Sequence, residues 1–296
     1  MNKHLSHKLL LLFVAFFTCG LTACAPKAIP PSHRPATIAV VLGAGAVKGF
    51  AHVGVLKILE SQKIPIHMIV GTSVGSFVGS LYAYGYDAFQ LQTIAYGMQR
   101  DDLIDLTLLD NGFVKGEKLE SYVNRMVRDT PIEKFRIPFH AVATNIQTGH
   151  EVVFGTGNAG MAVRASCSIP GIFRPFRISG NTYVDGGVVS PLAIDVARRY
   201  GADVVIAVDI STGLTETVPQ GTVETILQSV DIMYAKIAAQ QTLRADIVIR
   251  PSVGHIGSAD FTRKHEAILE GEKAAMAAMP AIQGLLSGLR QSGRLP

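Results

Sequence analysis

Residues 71–75 read Gly-Thr-Ser-Val-Gly and place a serine between two glycines in the pattern G-x-S-x-G. The apolar run 64–70 before them is typical of a strand, and residues 74–84 after them are compatible with a helix. Between a strand and a helix this pattern predicts a sharp turn that exposes the serine hydroxyl near the positive helix end. It indicates nucleophilic chemistry at Ser73, with Gly71 and Gly75 relieving the crowding, and the alternative is an ordinary turn with an idle serine.

A second glycine-rich segment, residues 43–49, reads Gly-Ala-Gly-Ala-Val-Lys-Gly at the end of the first predicted strand. Small residues there let backbone N–H groups converge on an anion in front of a helix. That anion is either a dinucleotide pyrophosphate or the oxyanion of a tetrahedral acyl intermediate. The serine turn ends the next strand, so parallel pairing would bring both loops together, which favours acyl transfer. A dinucleotide site also lacks a ribose acid, because Glu60 ends a helix.

The third motif, residues 183–187, reads Tyr-Val-Asp-Gly-Gly and predicts a tight turn that presents the carboxylate of Asp185. A serine nucleophile needs a base, and an aspartate in water, with a pKa near 3.9, is a poor one. Shielding from water, for example by a bound lipid, would raise its basicity. The alternatives are a solvated surface turn and a Ser-Asp-His triad through His255 or His265. We expect His52 to cap or pack locally.

Apolar runs alternate with helical segments along the chain, which predicts one α/β domain with a mostly parallel sheet covered on both faces. The predicted strands are 37–42, 64–70, 139–144, 152–154, 202–209 and 247–249. The predicted helices contain 53–59, 74–84, 116–127 and 191–200, one opened by a capping box at Asp87, and helical sequence from 263 onward.

The N-terminal segment 1–23 has two lysines before a short apolar core at 9–17, which predicts a cleaved signal rather than a membrane span. Residues 21–24, Leu-Thr-Ala-Cys, resemble the bacterial lipobox, which implies a lipidated Cys24 and membrane attachment through its acyl chains. By the sorting rule for lipoproteins of enteric bacteria, Ala25 after the cysteine, rather than Asp, favours the outer membrane, with the protein facing the periplasm. Residues 24–36 contain four prolines and predict a tether of roughly 35 Å. The alternative is a plain secretory signal with an accidental cysteine.

Composition excludes several other classes of protein. The formal charge of +4 comes without a basic tract, so we expect no nucleic-acid partner. Cys167 is the cysteine left once Cys19 is removed with the signal and Cys24 is acylated, which excludes an internal disulfide; we expect it to be buried. No Cys-His cluster has metal-ligand spacing. Residues 103–109 with Phe113 predict core packing, a flap or a docking loop.

The three motifs, in this order, resemble the patatin-like phospholipase family, whose pattern is a glycine-rich loop, G-x-S-x-G and D-G-[GA]. Residues 50–56, 165–175 and 195–209 continue the resemblance, which covers about 37–211 and weakens towards 277. It implies a three-layer α/β/α fold with a mostly parallel central sheet and a hydrolase domain over 37–296. This family usually has G-G-G-x-[RK]-G, whereas here Ala44 replaces the middle glycine and one extra residue precedes Lys48.

The resemblance implies hydrolysis of a lipid acyl ester through an acyl-serine, without cofactor or metal, and does not identify a protein partner. The alternative is a non-catalytic lipid-binding or scaffold lipoprotein. Lys48 steadies the loop, meets a lipid phosphate or is simply solvated. The implied residues are the nucleophile Ser73, its base Asp185, the oxyanion-hole residues Gly43, Ala44, Gly45 and Ala46, and the motif residues Lys48, Gly49, Gly71, Gly75, Gly186 and Gly187.

Overall fold

The computed structural model describes residues 34–107, 112–211 and 218–295. Residues Pro35–Pro296 form one compact unit. The predicted signal, Cys24 and the tether up to residue 33 lie outside the described residues. Ala36, which we assigned to the tether, belongs to the folded body, because it is buried and its N–H donates to the carbonyl of Arg294 at 2.8 Å.

One sheet of eight strands forms the middle of the described fold, in the order β5-β6-β3-β2-β1-β7-β8 with β4 also paired to β3. The five strands β3, β2, β1, β7 and β8, in this spatial order, each run parallel to their neighbours. β4 and β6 run antiparallel to β3, and β5 runs antiparallel to β6. The strands are β1 (Ile38–Leu42), β2 (Met68–Thr72), β3 (Phe139–Asn145), β4 (Glu151–Phe154), β5 (Phe176–Ile178), β6 (Asn181–Asp185), β7 (Val204–Val208) and β8 (Ile247–Ile249).

Helices cover both faces of this sheet, and none of those in the described ranges combines the length and apolar composition that a bilayer crossing requires. Short 3₁₀ turns occur at Ala46–Gly49, Ile132–Lys134, Gly186–Val188, Thr242–Arg244 and Phe261–Arg263. The helices are α1 (Phe50–Ser61), α2 (Val74–Tyr84), α3 (Ala88–Gly97), α4 (Arg100–Leu103), α5 (Glu117–Met126), α6 (Ala159–Ser166), α7 (Ile194–Arg199), α8 (Thr222–Gln241) and α9 (Lys264–Gln291).

Strand β1 shows how the layers are built, because alternate side chains of a strand point to opposite faces of the sheet. Val40 and Leu42 belong to the larger core, under α1, α2 and α9. Ala39 and Val41 belong to the smaller core on the other face, which includes Ile194 of α7. The predicted three-layer α/β/α fold with a mostly parallel sheet is therefore confirmed.

Two predicted boundaries were wrong for reasons that the backbone explains. β2 begins at Met68 rather than at 64, because Pro65 has no N–H to give to a ladder. α7 begins at Ile194 rather than at 191, since the carbonyl of Pro191 accepts a hydrogen bond from Ala44. The capping box at Asp87 is confirmed. The β5–β6 hairpin and helices α6 and α8 were not predicted.

Candidate active site

Ser73 occupies a strained turn between β2 and α2, with φ 55° and ψ −128°. A positive φ is uncommon for a residue with a side chain and persists only where the surroundings impose it. Part of that constraint is a hydrogen bond from the Ser73 N–H to the hydroxyl of Ser166 at 2.9 Å. The hydroxyl of Ser166 in turn donates to the carbonyl of Val142 on β3 at 2.6 Å.

Gly75 allows the helix after this turn to approach β1 closely. A Cβ atom at position 75 would lie 2.0 Å from the carbonyl oxygen of Leu42, a distance that no side chain can occupy. Glycine is therefore required here by the contact between α2 and β1, and the crowding that the sequence pattern predicted is present.

The register of the sheet brings Asp185 to Ser73. On one edge of β3, Thr72 of β2 pairs with Val142, and Asp185 of β6 pairs with the next residue, Ala143. β4 pairs with Val142 and Ala143 on the opposite edge of β3. β2 and β6 therefore share the first edge, where the end of one strand meets the end of the other. The hydroxyl of Ser73 consequently donates to Oδ2 of Asp185 at 2.5 Å.

Asp185 is completely buried, so the interpretation as a solvated surface turn was wrong. Its Oδ1 accepts the N–H of Gly187 at 2.7 Å, and its own N–H donates to the carbonyl of Ser168 at 2.8 Å. Burial raises the pKa of Asp185 from 3.8 to about 6, while the hydrogen bonds from Ser73 and Gly187 oppose that rise. The protein itself thus supplies the shielding that we had assigned to a bound lipid.

The four residues predicted to form the oxyanion hole divide into two pairs. The N–H of Gly43 donates to Val208 at 3.1 Å and that of Ala44 donates to Pro191 at 2.9 Å, so both amides are occupied. The amides of Gly45 and Ala46 have no hydrogen-bond acceptor within the described part of the chain. Ala46 has φ 49° and lines the same cavity as Ser73, which brings this part of the loop to the serine turn.

His52 holds the start of this loop from within the core. Its Nε2 donates to the carbonyl of Gly43 at 2.8 Å, and the side chain is fully buried. Burial lowers the pKa of His52 to about 4, so the imidazole is neutral at physiological pH. The local role that we expected is therefore a hydrogen bond to the loop.

Lys48 steadies the loop, and the solvated alternative was wrong. Its side chain is only 3% exposed, and Nζ lies 2.9 Å from Oδ2 of Asp231 on α8. The hydroxyl of Ser258 donates to the same carboxylate oxygen at 2.6 Å, and its carbonyl accepts the N–H of Val47 at 3.3 Å. Two separate segments therefore clamp the loop through polar contacts.

The histidine triad is not formed. Nε2 of His255 contacts Glu266 at 2.7 Å, and Nδ1 of His265 contacts the hydroxyl of Tyr96 at 2.8 Å. No histidine within the described ranges hydrogen bonds to Ser73 or Asp185.

An apolar cavity of about 200 Å³ has Ser73 in its wall. Arg100 is the charged residue among those that line it, and its guanidinium forms no ion pair or hydrogen bond with another described residue. The other lining residues are Ala46, Val47, Phe50, Val74, Phe77, Val78, Met98, Leu103, Ile104, Val114, Leu119, Cys167, Ile169, Ile172, Phe173, Val223, Leu227, Ser258, Ala259 and Phe261.

The segment 103–109 borders this cavity, and its Leu103 also packs against the larger core, which was one of the expectations. Leu103 and Ile104 line the cavity, whereas Leu106 is 69% exposed. Asp105 accepts hydrogen bonds from the first amides of α5, including Glu117, and so caps that helix. Residues 108 and 109 lie outside the described residues.

Cys167 is buried in the cavity wall, as expected. Burial and the nearby carboxylate of Asp185 raise the pKa of the Cys167 thiol, which keeps it protonated and unreactive. Across the described ranges, no three or more His, Cys, Asp or Glu residues are grouped so that they could hold a metal ion.

Several residues whose contacts hold the site in place were not indicated by the sequence patterns. Ser166 and Ser168 lie in the segment 165–175 that carried part of the family resemblance, yet no role followed from that resemblance. Asp231 and Tyr234 belong to α8, which was not predicted. Tyr234 is buried and packs against Gly187.

An α/β sheet with a serine on a strand-to-helix turn and a buried aspartate beside it is the arrangement that nucleophilic chemistry at a serine requires. A family profile described as "Patatin-like phospholipase" matches residues 40–198, which is more than half of the chain. The chain belongs to the patatin-like phospholipase family, and the resemblance predicted from the three motifs is confirmed.

Curated relatives match over part of their length. A "Lysophospholipase NTE1" from Coccidioides immitis is 34% identical over 195 residues, 62% of this chain and 12% of that protein. The "Patatin-like phospholipase domain-containing protein 6" of Mus musculus is 34% identical over 184 residues, 60% of this chain and 14% of that protein. The chain therefore spans about one eighth of the length of these relatives.

Two solved structures also align with this chain. VipD from Legionella pneumophila aligns with a TM-score of 0.48 at 13% identity, over 86% of this chain and 67% of that chain. The type III effector protein ExoU aligns with a TM-score of 0.48 at 12% identity, over 84% of this chain and 53% of that chain.

Proposed function

We propose that this chain hydrolyses the acyl ester of a lipid, with Ser73 as nucleophile and Asp185 as its base. The observation that carries the proposal is the 2.5 Å contact between the Ser73 hydroxyl and the fully buried Asp185 carboxylate. This pair lies in the wall of an apolar cavity that suits a hydrocarbon chain.

In the first half of the reaction, Asp185 takes the proton of the Ser73 hydroxyl as the serine oxygen attacks the ester carbonyl. The carbonyl oxygen becomes an oxyanion, which accepts hydrogen bonds from the free amides of Gly45 and Ala46. The tetrahedral intermediate collapses, the ester C–O bond breaks, and Asp185 returns its proton to the departing alcohol. The acyl group remains on Ser73.

In the second half, Asp185 takes a proton from a water molecule, which attacks the acyl-serine. The same two amides hold the second oxyanion. Collapse releases the free fatty acid and returns the proton to Ser73, so the enzyme is regenerated. A carboxylate suits both halves because its pKa of about 6 lies near neutral pH, where it can accept and return a proton.

A phospholipid with one acyl chain is the substrate class that the cavity supports best. The cavity has a volume of about 200 Å³ and an apolar lining, which suit part of one acyl chain. The guanidinium of Arg100 is available to a phosphate group, for which arginine geometry is well suited. The name lysophospholipase, which the fungal relatives carry, agrees with this substrate.

The same proposal includes attachment to a bacterial envelope through a lipidated Cys24, most simply at the outer membrane. Its support is the lipobox-like sequence 21–24 and the proline-rich segment after it. Metabolic labelling with radioactive palmitate in a bacterial host tests it: the label should be lost in Cys24→Ser. Retention of label in that variant, or an unlabelled wild type, would reject the anchor.

The catalytic proposal is tested by labelling the purified protein with a fluorescent fluorophosphonate, which modifies activated serines. Ser73→Ala should abolish labelling, Asp185→Asn should slow it at least ~10²-fold, and His255→Ala should leave it unchanged. A folded wild-type protein that fails to label would favour the non-catalytic scaffold instead. A loss in His255→Ala equal to that in Ser73→Ala would reject the Ser-Asp pair.

A further inference from the structure

Helix α8 contacts both halves of the proposed active site from one face. Asp231 and Tyr234 are three residues apart, a spacing that puts two side chains on the same side of a helix. Asp231 pairs with Lys48 of the oxyanion loop. Tyr234 packs on Gly187, next to Asp185. One helix therefore connects the loop amides to the proposed base.

The ring of Tyr234 explains the second glycine of the Asp-Gly-Gly motif. A Cβ atom at Gly187 would lie 2.2 Å from Cζ of Tyr234, so the ring occupies the space of a side chain at position 187. Because the N–H of Gly187 itself donates to Oδ1 of Asp185 at 2.7 Å, this close packing brings the phenol beside that carboxylate. The tyrosine is 3% exposed, so water does not compete for its hydroxyl.

The hydroxyl of Tyr234 has no hydrogen-bond partner that meets normal geometry among the described residues. Buried hydroxyls usually have a partner, and an exception calls for a functional explanation. The neighbour that changes its charge during the proposed reaction is Asp185. Burial and the negative charge of Asp185 raise the pKa of Tyr234 well above its normal value, so the phenol can donate a hydrogen bond but not act as a base.

We infer that Tyr234 is a positioning residue that donates a hydrogen bond to Asp185 in its ionised state, and that Asp231 positions the oxyanion loop through Lys48. This inference rests on the proposed function, since it assigns roles around the same serine and aspartate. The other groups that face the Asp185–Tyr234 pair are the Ser73 hydroxyl, the Gly187 amide, the Cys167 thiol and the Asp231 carboxylate with its partner Lys48.

The experiment compares wild type, Tyr234→Phe and the control Tyr200→Phe in hydrolysis of p-nitrophenyl butyrate between pH 4 and 9. Removing the hydroxyl should move the ascending limb of kcat/KM to higher pH by roughly one pH unit, the size expected for one hydrogen bond to a charged group. Activity should approach the wild-type level above pH 8, where Asp185 is ionised in both proteins. Tyr200, which is half exposed at the end of α7, should leave the profile unchanged.

Asp231→Asn is the second variant, because it keeps the shape and an acceptor for Ser258 but removes the charge opposite Lys48. It should lower kcat about tenfold with little change in KM, since the loop amides act on the transition state. Any movement of the pH limb should be to lower pH, opposite to that in Tyr234→Phe, because a negative charge facing the pair is removed.

The outcomes distinguish failure of the positioning roles from failure of the proposed function. An unmoved limb in Tyr234→Phe, whether its activity is reduced evenly or unchanged, would overturn the role of the phenol. A rise in KM alone in Asp231→Asn would overturn the role of the carboxylate. A wild-type protein that neither hydrolyses the ester nor labels with fluorophosphonate would instead reject the proposed function itself.

Discussion

The hydroxyl of Ser73 donates a hydrogen bond to a carboxylate, that of Asp185, which has no surface in contact with solvent. Asp185 ends β6 where that strand meets β2 along β3, and Tyr234 of α8 packs on the adjacent Gly187. A carboxylate in water is too weak a base to activate a serine, and burial changes that property. The consequences can be measured both in activity and in stability.

The activity should depend on ionisation of Asp185. Because burial raises its pKa to about 6, the carboxylate is protonated below that pH and cannot accept the serine proton. We expect kcat/KM for a p-nitrophenyl ester to rise tenfold per pH unit below pH 6 and to level off above pH 7. A limb near pH 4 would mean that Asp185 is not shielded in solution.

Ionisation of Asp185 should lower the stability of the fold, although it is required for activity. In the unfolded chain the carboxyl ionises near pH 3.8, but in the folded protein it ionises only near pH 6, so folding becomes less favourable as pH rises through this interval. Asp185→Asn removes this cost. The free energy of unfolding of the variant minus that of wild type should therefore be up to ~3 kcal/mol larger at pH 8 than at pH 3.5. Urea unfolding of both proteins at the two pH values measures this difference. An equal stability difference at both would contradict it.

Gly75→Ala should prevent a normal fold around the serine turn. The new Cβ would lie 2.0 Å from the carbonyl oxygen of Leu42, so β1 and α2 must move apart, at a cost above ~3 kcal/mol. Gly97→Ala is the matched control, because nothing lies within 4 Å of a Cβ at that position. The control should be unchanged or up to ~1 kcal/mol more stable in thermal unfolding. Equal melting temperatures for both variants would reject the close contact.

His52→Phe should weaken the oxyanion loop without touching Ser73. The variant leaves the carbonyl of Gly43 buried without its donor, which costs about 1–3 kcal/mol in unfolding free energy. We expect kcat to fall about tenfold, since the loop amides lose their fixed position. His52→Gln, whose side-chain amide can donate in place of Nε2, should recover part of both. Full activity of His52→Phe would show that the hydrogen bond is dispensable.

Arg100→Gln should distinguish phosphate-bearing substrates from neutral ones. If the guanidinium binds a lipid phosphate, kcat/KM for a lysophospholipid should fall at least ~10-fold, the effect of losing a charge-assisted hydrogen bond. Hydrolysis of a monoacylglycerol should be unchanged. Arg136→Gln, outside the cavity lining, controls for the change in net charge. Equal losses on both substrates would exclude phosphate recognition by Arg100.

The sequence predicted the parts of the site that depend on local geometry. A serine between glycines at a strand end, and an aspartate before two glycines, indicate turns whose form follows from the residues themselves. The same holds for the capping box at Asp87. The alternation of apolar runs and helices predicted the layers and most of the parallel strands.

The parts that the sequence could not predict depend on contacts between distant segments. Lys48 and Asp231 are 183 residues apart, and nothing in either segment indicates the other. Which loop amides are free was equally hidden, because it depends on Val208 and Pro191 as acceptors. The antiparallel β5–β6 hairpin interrupts the parallel pattern, and its strands, Phe-Arg-Ile and Asn-Thr-Tyr-Val-Asp, lack the apolar run that marks most of the other strands.

The two members of the Ser73–Asp185 pair are 112 residues apart in the chain and meet only through the shared edge of β3. Contacts of such sequence separation form late, because a large loop must close before they can. A newly made or partly folded chain therefore lacks the Ser73–Asp185 contact. Recovery of fluorophosphonate labelling during refolding should follow the last step of sheet assembly, so that hydrolytic competence reports completion of the fold.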